Sequence, residues 1–176
     1  MFLLDGDALA ALAAAVAVHE LGHIAALLAL GARIDGVSIA ATGPVLHCAA
    51  PQFGLSGAIA ALSGPFSGLL FCLIMRPHWL LASEMSAVLT AVNLLPLLPL
   101  DGGRALCALV YQTRNAQVIL RLTRFLVLAG LACFGVYAAV CGWGAAPILF
   151  AFWLFIAPPG YGDTCKTAPD DVKCIC

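Results

Sequence analysis

This chain contains a series of apolar runs that are long enough to cross a lipid bilayer. A helix rises about 1.5 Å per residue, so roughly 20 residues span the hydrocarbon core. Of the 176 residues, 63% are hydrophobic and only 10% are charged, and the mean hydropathy is +1.05. A water-soluble domain needs more charge than this. The sequence therefore predicts an all-α polytopic membrane protein.

About five transmembrane helices are expected. The predicted spans are residues 8–30, 54–75, 84–100, 125–140 and 145–157. The last is short for a full crossing. Residues 32–53 contain turn residues and an apolar stretch, which we interpret as a membrane-associated hairpin after the first helix. We expect residues 1–157 to form a single core domain in the membrane and residues 158–176 to form a polar, disordered cytoplasmic tail.

Basic residues predict the orientation of the chain in the membrane. One side of the alternating spans collects Arg33, Arg104, Arg114, Arg121, Arg124, Lys166 and Lys173. The opposite side has only Arg76. Because cytoplasmic loops carry an excess of Lys and Arg, the crowded side is predicted to be cytoplasmic. The N-terminus is then external, and the end of the third span lies near the cytoplasmic face.

Composition also argues against some classes of protein. The net charge is −1 and no basic cluster is present, so no binding of nucleic acid is expected. Eight cysteines could indicate a disulfide scaffold. However, Cys72, Cys107, Cys133 and Cys141 fall in or beside apolar runs, where buried free thiols are expected. The cysteines of the tail lack the spacing typical of a zinc site.

The first apolar run contains the sequence His19-Glu20-Leu21-Gly22-His23. Residues four apart share one face of a helix, so both imidazoles can reach a single metal ion. Glu20 is offset by one residue and can instead accept a proton from an attacking water. Polar groups near the middle of a bilayer cost of order 2.5 to 3.5 kcal/mol per charge and persist mainly where they line a site. The motif therefore favours a zinc hydrolase over a pair of helix-packing histidines.

A catalytic zinc needs three protein ligands and one open position, so a further ligand is required. The candidates away from the motif are His47, His78, Glu84 and Asp101. Asp101 follows Pro96 and Pro99, which should open the end of the third span, and it precedes two glycines that permit close backbone approach. This context favours Asp101 and leaves the other three open.

The early HExxH motif, together with the later segment from Asn93 to Gly103, resembles the site-2 protease family of intramembrane zinc metalloproteases. The resemblance is greatest to the compact branch that processes sporulation sigma factors, and it covers about residues 8–104. It implies that Asp101 is the third zinc ligand and that Asn93 orients substrate or polarises the scissile carbonyl. It also implies a protein substrate in or at a bacterial cell membrane and a regulatory membrane partner, and the distribution of basic residues places the active site toward the cytoplasm.

One position departs from the family pattern. Relatives often carry Asn three residues after a Gly-Pro pair on the intervening helix, whereas Gly64-Pro65 is followed here by Gly68. A second polar contact to substrate is therefore not expected from this helix.

The sequence thus predicts a metalloendopeptidase in which His19, His23 and Asp101 bind Zn²⁺, Glu20 is the general base and Asn93 stabilises the oxyanion. Two other functions remain open. Intramembrane His, Glu and Asp also mark ion pathways, which would fit a metal-ion transporter. A catalytically inactive membrane scaffold is the other. A transporter should have polar residues on several helices, but the second and fourth spans have almost none. An inactive scaffold would not need the three metal ligands and the general base, and this chain has all four residues.

Overall fold

The computed structural model describes residues 6–40, 43–49, 53–142 and 146–156. In this part of the chain, six helices and one two-stranded hairpin follow one another. In order they are α1 (Gly6–Ala29), β1 (Arg33–Ala40), β2 (Gly43–Ala49), α2 (Gly54–Met75), α3 (Leu80–Asn93), α4 (Asp101–Val110), α5 (Ala116–Val140) and α6 (Ala146–Ile156).

Helices α1, α2 and α5 are long and apolar enough to cross a membrane. Large apolar side chains such as Phe66 and Val140 lie exposed on them, as expected of helix faces that meet lipid. Helix α3 is apolar but has only 14 residues, a rise of about 21 Å against a hydrocarbon core of about 30 Å. The predicted class of an all-α polytopic membrane protein with a hairpin after its first helix is confirmed, and three of the predicted spans have full crossing length.

The hairpin consists of β1 and β2, which pair antiparallel, with Val37 opposite Leu46 and Ile39 opposite Pro44. The pairing is irregular between Ile34 and Gly36. The apolar segment after the first helix is therefore extended and hydrogen-bonded to its neighbour, which satisfies backbone groups that a loop in lipid would leave unpaired.

Helix α2 lies at the centre of the fold and contacts α1, α3 and α4. Its buried residues are small, with Pro65 as the largest. Ala58 and Ala61 of α2 form a buried cluster with Ala105 and Ala108 of α4. Small residues let helix backbones approach closely in membranes, where apolar burial alone does not drive helices together. The two parts of the chain that carry the candidate metal ligands both pack against this helix.

Helices α5 and α6 pack against each other beside this core, and α5 also contacts α4. The predicted fourth span, residues 125–140, is the second part of the longer α5. Its 25 residues rise about 37 Å, so the first turns, which carry Arg121 and Arg124, can extend beyond the hydrocarbon core.

The cysteines follow the expectation of buried free thiols only in part. Cys72 is free and half-buried, whereas Cys133 and Cys141 are free but exposed. An apolar run in a membrane helix also faces lipid, so a cysteine within it need not be buried by protein. Cys107 is buried and disulfide-bonded, so the prediction of a free thiol there is wrong.

Candidate active site

Both histidines of the HExxH motif lie on the buried face of α1. The buried residues of this helix recur every four positions: Ala11, Ala15, His19, His23 and Leu27. Such a spacing forms one ridge along a helix. The small residues at the start of the ridge bring the neighbouring helices close, and the side chains of His19 and His23 are only 5% and 3% exposed. The helical spacing therefore buries both rings side by side.

Asp101 is brought to the same place by a break in the helical structure. Helix α3 ends at Asn93, so the second half of the predicted 84–100 span is not helical. Pro96 and Pro99 lack N–H donors and interrupt the helix there. Several remaining N–H groups are satisfied locally, including Leu97 to the carbonyl of Leu95 and Leu100 to that of Leu97. Irregular backbone at membrane depth is tolerated when protein covers it.

The two glycines after Asp101 allow that irregular segment to lie directly on α4. A Cβ atom at Gly102 would lie 2.6 Å from the carbonyl oxygen of Leu95, and one at Gly103 would overlap the backbone of Leu97. Any larger residue would push the segment away from the first turn of α4. The Asp-Gly-Gly sequence therefore fixes where the carboxylate of Asp101 points.

Three candidate ligand atoms converge between α1 and α4. The Oδ2 atom of Asp101 lies 3.0 Å from Nε2 of His19 and 3.2 Å from Nε2 of His23, and the two Nε2 atoms are 3.3 Å apart. Ligands about 2.0–2.1 Å from a tetrahedral zinc are about 3.3–3.4 Å from one another. The three atoms therefore match three corners of such a tetrahedron.

The protonation state of His23 makes its Nε2 atom suitable for a metal. Its Nδ1 lies 2.8 Å from the carbonyl oxygen of Ala60 on α2. A carbonyl only accepts hydrogen bonds, so Nδ1 must be the donor, and a neutral imidazole then carries its lone pair on Nε2. This lone pair faces the carboxylate of Asp101. Two imidazole nitrogens and one carboxylate oxygen form a donor set that fits Zn²⁺.

The other oxygen of Asp101 is held by Arg104. Its guanidinium donates to Oδ1 at 3.2 Å, one turn further along α4. This contact leaves Oδ2 alone facing the two histidines. In the sequence analysis, Arg104 served only to predict the orientation of the chain in the membrane. Its position three residues after Asp101, on the same helix, could have indicated the ion pair between them.

Gly64 of α2 lies directly against the imidazole of His23, nearest to its Nε2 atom. A Cβ atom there would overlap the imidazole, with Cδ2 and Cε1 both at 2.6 Å. The sequence pointed to Gly64-Pro65 only as a family motif, because a contact between distant helices leaves no local signal.

The other predicted site residues have different surroundings. Glu20 is half-buried, and within the described residues it forms no hydrogen bond or ion pair. Asn93 is half-buried at the end of α3, and its Nδ2 donates to the carbonyl of Leu89 at 3.0 Å. No described contact connects it to the His-Asp cluster. An amide nitrogen has two hydrogens, so one remains for another acceptor.

Of the alternatives for a third ligand, Asp101 joins the histidines in the one His/Cys/Asp/Glu group with metal-binding geometry found among the described residues. His78 and Glu84 are exposed and lie outside this group. The side chain of His47 lies outside the described residues.

Comparisons with known proteins concern the family and the fold of this chain. Residues 52–136 match the model of a family described as Peptidase family M50. The matched region contains Asn93 and Asp101, whereas the HExxH motif precedes it. The fold is similar to that of a site-2 protease from Methanocaldococcus jannaschii, with a TM-score of 0.60 and 18% sequence identity over 91% of this chain and 77% of that chain. No similar sequence was found among curated proteins.

Proposed function

We propose that this chain is a membrane metalloendopeptidase of the site-2 protease family, within peptidase family M50, and that it uses Zn²⁺ held by His19, His23 and Asp101. Its substrate is a membrane-embedded or membrane-associated protein. The observation that most supports this is the convergence of three ligand atoms, from α1 and α4, within 3.0–3.3 Å of one another. Three protein ligands leave a position open, as catalytic zinc requires.

The chain's own residues supply the remaining chemistry. Bound zinc provides a Lewis acid that lowers the pKa of a water toward neutrality and polarises the scissile carbonyl. Glu20 follows His19 directly on α1, and its half-buried carboxylate takes a proton from the attacking water and later delivers one to the leaving amine. Asn93 donates its second amide hydrogen to the developing oxyanion, a contribution of about 3–4 kcal/mol. The chain forms no covalent bond with the substrate.

The hairpin provides a means to hold an unwound substrate. A peptide bond inside a helix is shielded, so the substrate must become extended before hydrolysis. The sheet has two strands within the described residues, and each strand therefore has an outer edge with backbone groups free to pair. We propose that an extended substrate segment adds to one of these edges.

Both histidines lie in the C-terminal half of α1, about 15 Å and 9 Å from its end at Ala29. With the N-terminus external, this half is on the cytoplasmic side, as are Arg104 and Arg114. We therefore propose an active site toward the cytoplasm of a bacterial cell, in a core domain formed by residues 1–157. The bacterial location follows from the resemblance of the motifs to the sporulation branch.

The decisive experiment compares wild type with Glu20→Gln in proteoliposomes that contain candidate single-span substrates, with bound zinc measured in each. We expect both proteins to hold zinc and cleavage to fall by about 10²- to 10⁴-fold in the variant. Glu84→Gln is the matched control, because Glu84 is exposed on α3 and is the only other glutamate in the chain. If both proteins hold zinc and cleave equally, Glu20 is not the base. Zinc that crosses the membrane without any cleavage would favour a transporter.

A further inference from the structure

Two buried polar atoms beside the candidate metal site lack partners. Among the described residues, His19 Nδ1 and Thr90 Oγ1 are the buried side-chain nitrogen and oxygen atoms that form no hydrogen bond. Their residues are 4% and 5% exposed. Buried polar groups in folded proteins are nearly always hydrogen-bonded to protein or to an ordered water, so each of these atoms calls for a partner.

Both atoms border the same point on α2, the position of Gly68. A Cβ atom at Gly68 would lie 2.6 Å from Thr90 Oγ1, 3.5 Å from Ser86 Oγ and 3.8 Å from His19 Nδ1. Thr90 Oγ1 and His19 Nδ1 are thus no further apart than their two distances combined. One water molecule that makes two hydrogen bonds of about 2.8 Å covers nearly this span. Because Gly68 has no side chain, it leaves this space to these polar groups, and the Ser86 hydroxyl already donates its hydrogen to the carbonyl of Gly68.

The two histidines of the motif differ in how their rings are held. His23 donates from Nδ1 to the carbonyl of Ala60, which fixes both its tautomer and its orientation. A metal-binding histidine almost always donates its second N–H to a nearby acceptor. His19 presents Nε2 to Asp101, so its metal-binding tautomer carries a hydrogen on Nδ1, the atom that faces Gly68.

Thr90 is also set apart from the other buried hydroxyls of α3. Ser83 donates to the carbonyl of Cys72 at 2.9 Å, and Ser86 donates to that of Gly68 at 2.8 Å. These two hydroxyls join α3 to α2. Thr90 is the next buried residue on the same helix, but it makes no such bond to α2 within the described part of the chain.

We infer that Thr90 is a positioning residue for His19. Its hydroxyl accepts, through one water molecule over Gly68, the hydrogen bond that Nδ1–H of His19 donates. The link holds the His19 ring with its Nε2 lone pair toward Asp101. This inference rests on the proposed role of His19 as a metal ligand.

The test uses the full chain in detergent micelles and measures zinc affinity by chelator competition and the visible absorption of the Co²⁺-loaded protein. Thr90→Val keeps the shape of the side chain and removes the hydroxyl. We expect it to weaken zinc binding about 10- to 100-fold and to shift the Co²⁺ bands. Thr90→Ser should restore both. Gly68→Ala, which fills the space, should act like Thr90→Val.

Two further variants make the result specific. His19→Ala should lose zinc, and Ser83→Ala, which removes a buried hydroxyl on the same helix away from the site, should keep wild-type affinity. If Thr90→Val binds zinc like wild type while His19→Ala does not, the inference is overturned and the proposed ligand set stands. If His19→Ala binds zinc as tightly as wild type, the ligand set is wrong and the inference fails with it. A loss in Ser83→Ala as large as in Thr90→Val would assign the effect to helix packing and overturn the inference.

Discussion

Replacement of Gly64 by alanine would place a methyl group of the central helix α2 against the imidazole of His23. The new Cβ would lie 2.6 Å from Cδ2 and Cε1 of His23, and Nε2 would be nearer still. Non-bonded carbon atoms pack at about 3.5–4.0 Å, so the imidazole would have to retreat by about 1 Å. The hydrogen bond from Nδ1 to the carbonyl of Ala60, at 2.8 Å, opposes this movement.

The expected loss is greater in function than in stability. A displacement of about 1 Å at a reacting centre can cost about 10² in rate. Overpacking costs about 1–3 kcal/mol, and alanine in place of a helical glycine returns about 0.5–1 kcal/mol. Gly64→Ala should therefore lower the free energy of unfolding by about 2 kcal/mol or less. Cleavage should fall about 100-fold, with weaker zinc binding.

The assay compares thermal unfolding in detergent, zinc affinity by chelator competition and cleavage in proteoliposomes. Gly130→Ala is the matched control, because a Cβ at Gly130 of α5 meets no atom within 4 Å. This control should leave zinc affinity and cleavage unchanged. Wild-type zinc affinity and cleavage in Gly64→Ala would refute the reasoning, because His23 could then not occupy the position described.

Two further predictions concern residues around the same centre. Arg104→Gln removes the guanidinium that holds Oδ1 of Asp101, and zinc affinity measured by chelator competition should fall about 10- to 100-fold. Arg114→Gln, a change at an exposed arginine, should leave that affinity unchanged, and equal affinities in the two variants would contradict the assigned role of Arg104. Asn93→Ala should reduce the cleavage rate about 10²- to 10³-fold while zinc affinity stays at the wild-type level. A loss of zinc in this variant would show that Asn93 acts on the metal site and not on the oxyanion.

Part of the candidate site could be predicted because two of its residues are close together in the sequence, at a spacing that fixes their relative positions on a helix. The four-residue separation of His19 and His23 places both rings on one helix face, whatever the rest of the chain does. The position of Asp101 needed more than spacing, because 82 residues separate it from His19. Its prolines and glycines marked a break in the helix, and the family resemblance assigned its role.

The contacts between helices that surround the candidate ligands could not be predicted from sequence spacing. Gly64 of α2 lies against His23 of α1, and Thr90 of α3 lies against Gly68 of α2. Nothing in the sequence near Gly64 or Thr90 predicts these contacts. The end of α3 was placed too late, because an apolar run continues through Pro96 and Pro99 although the helix does not. The hairpin was predicted from its turn residues, but its register depends on pairing that apolar composition does not specify.

The central helix α2 supplies no ligand, yet it carries the carbonyl that fixes His23 and the glycine that makes room for it. The candidate ligands themselves come from α1 and α4, which are far apart in the sequence but meet at this site. A nascent chain that has inserted only its first helices thus contains both histidines but not Asp101. The three candidate ligands therefore come together only once α4 has packed against α2.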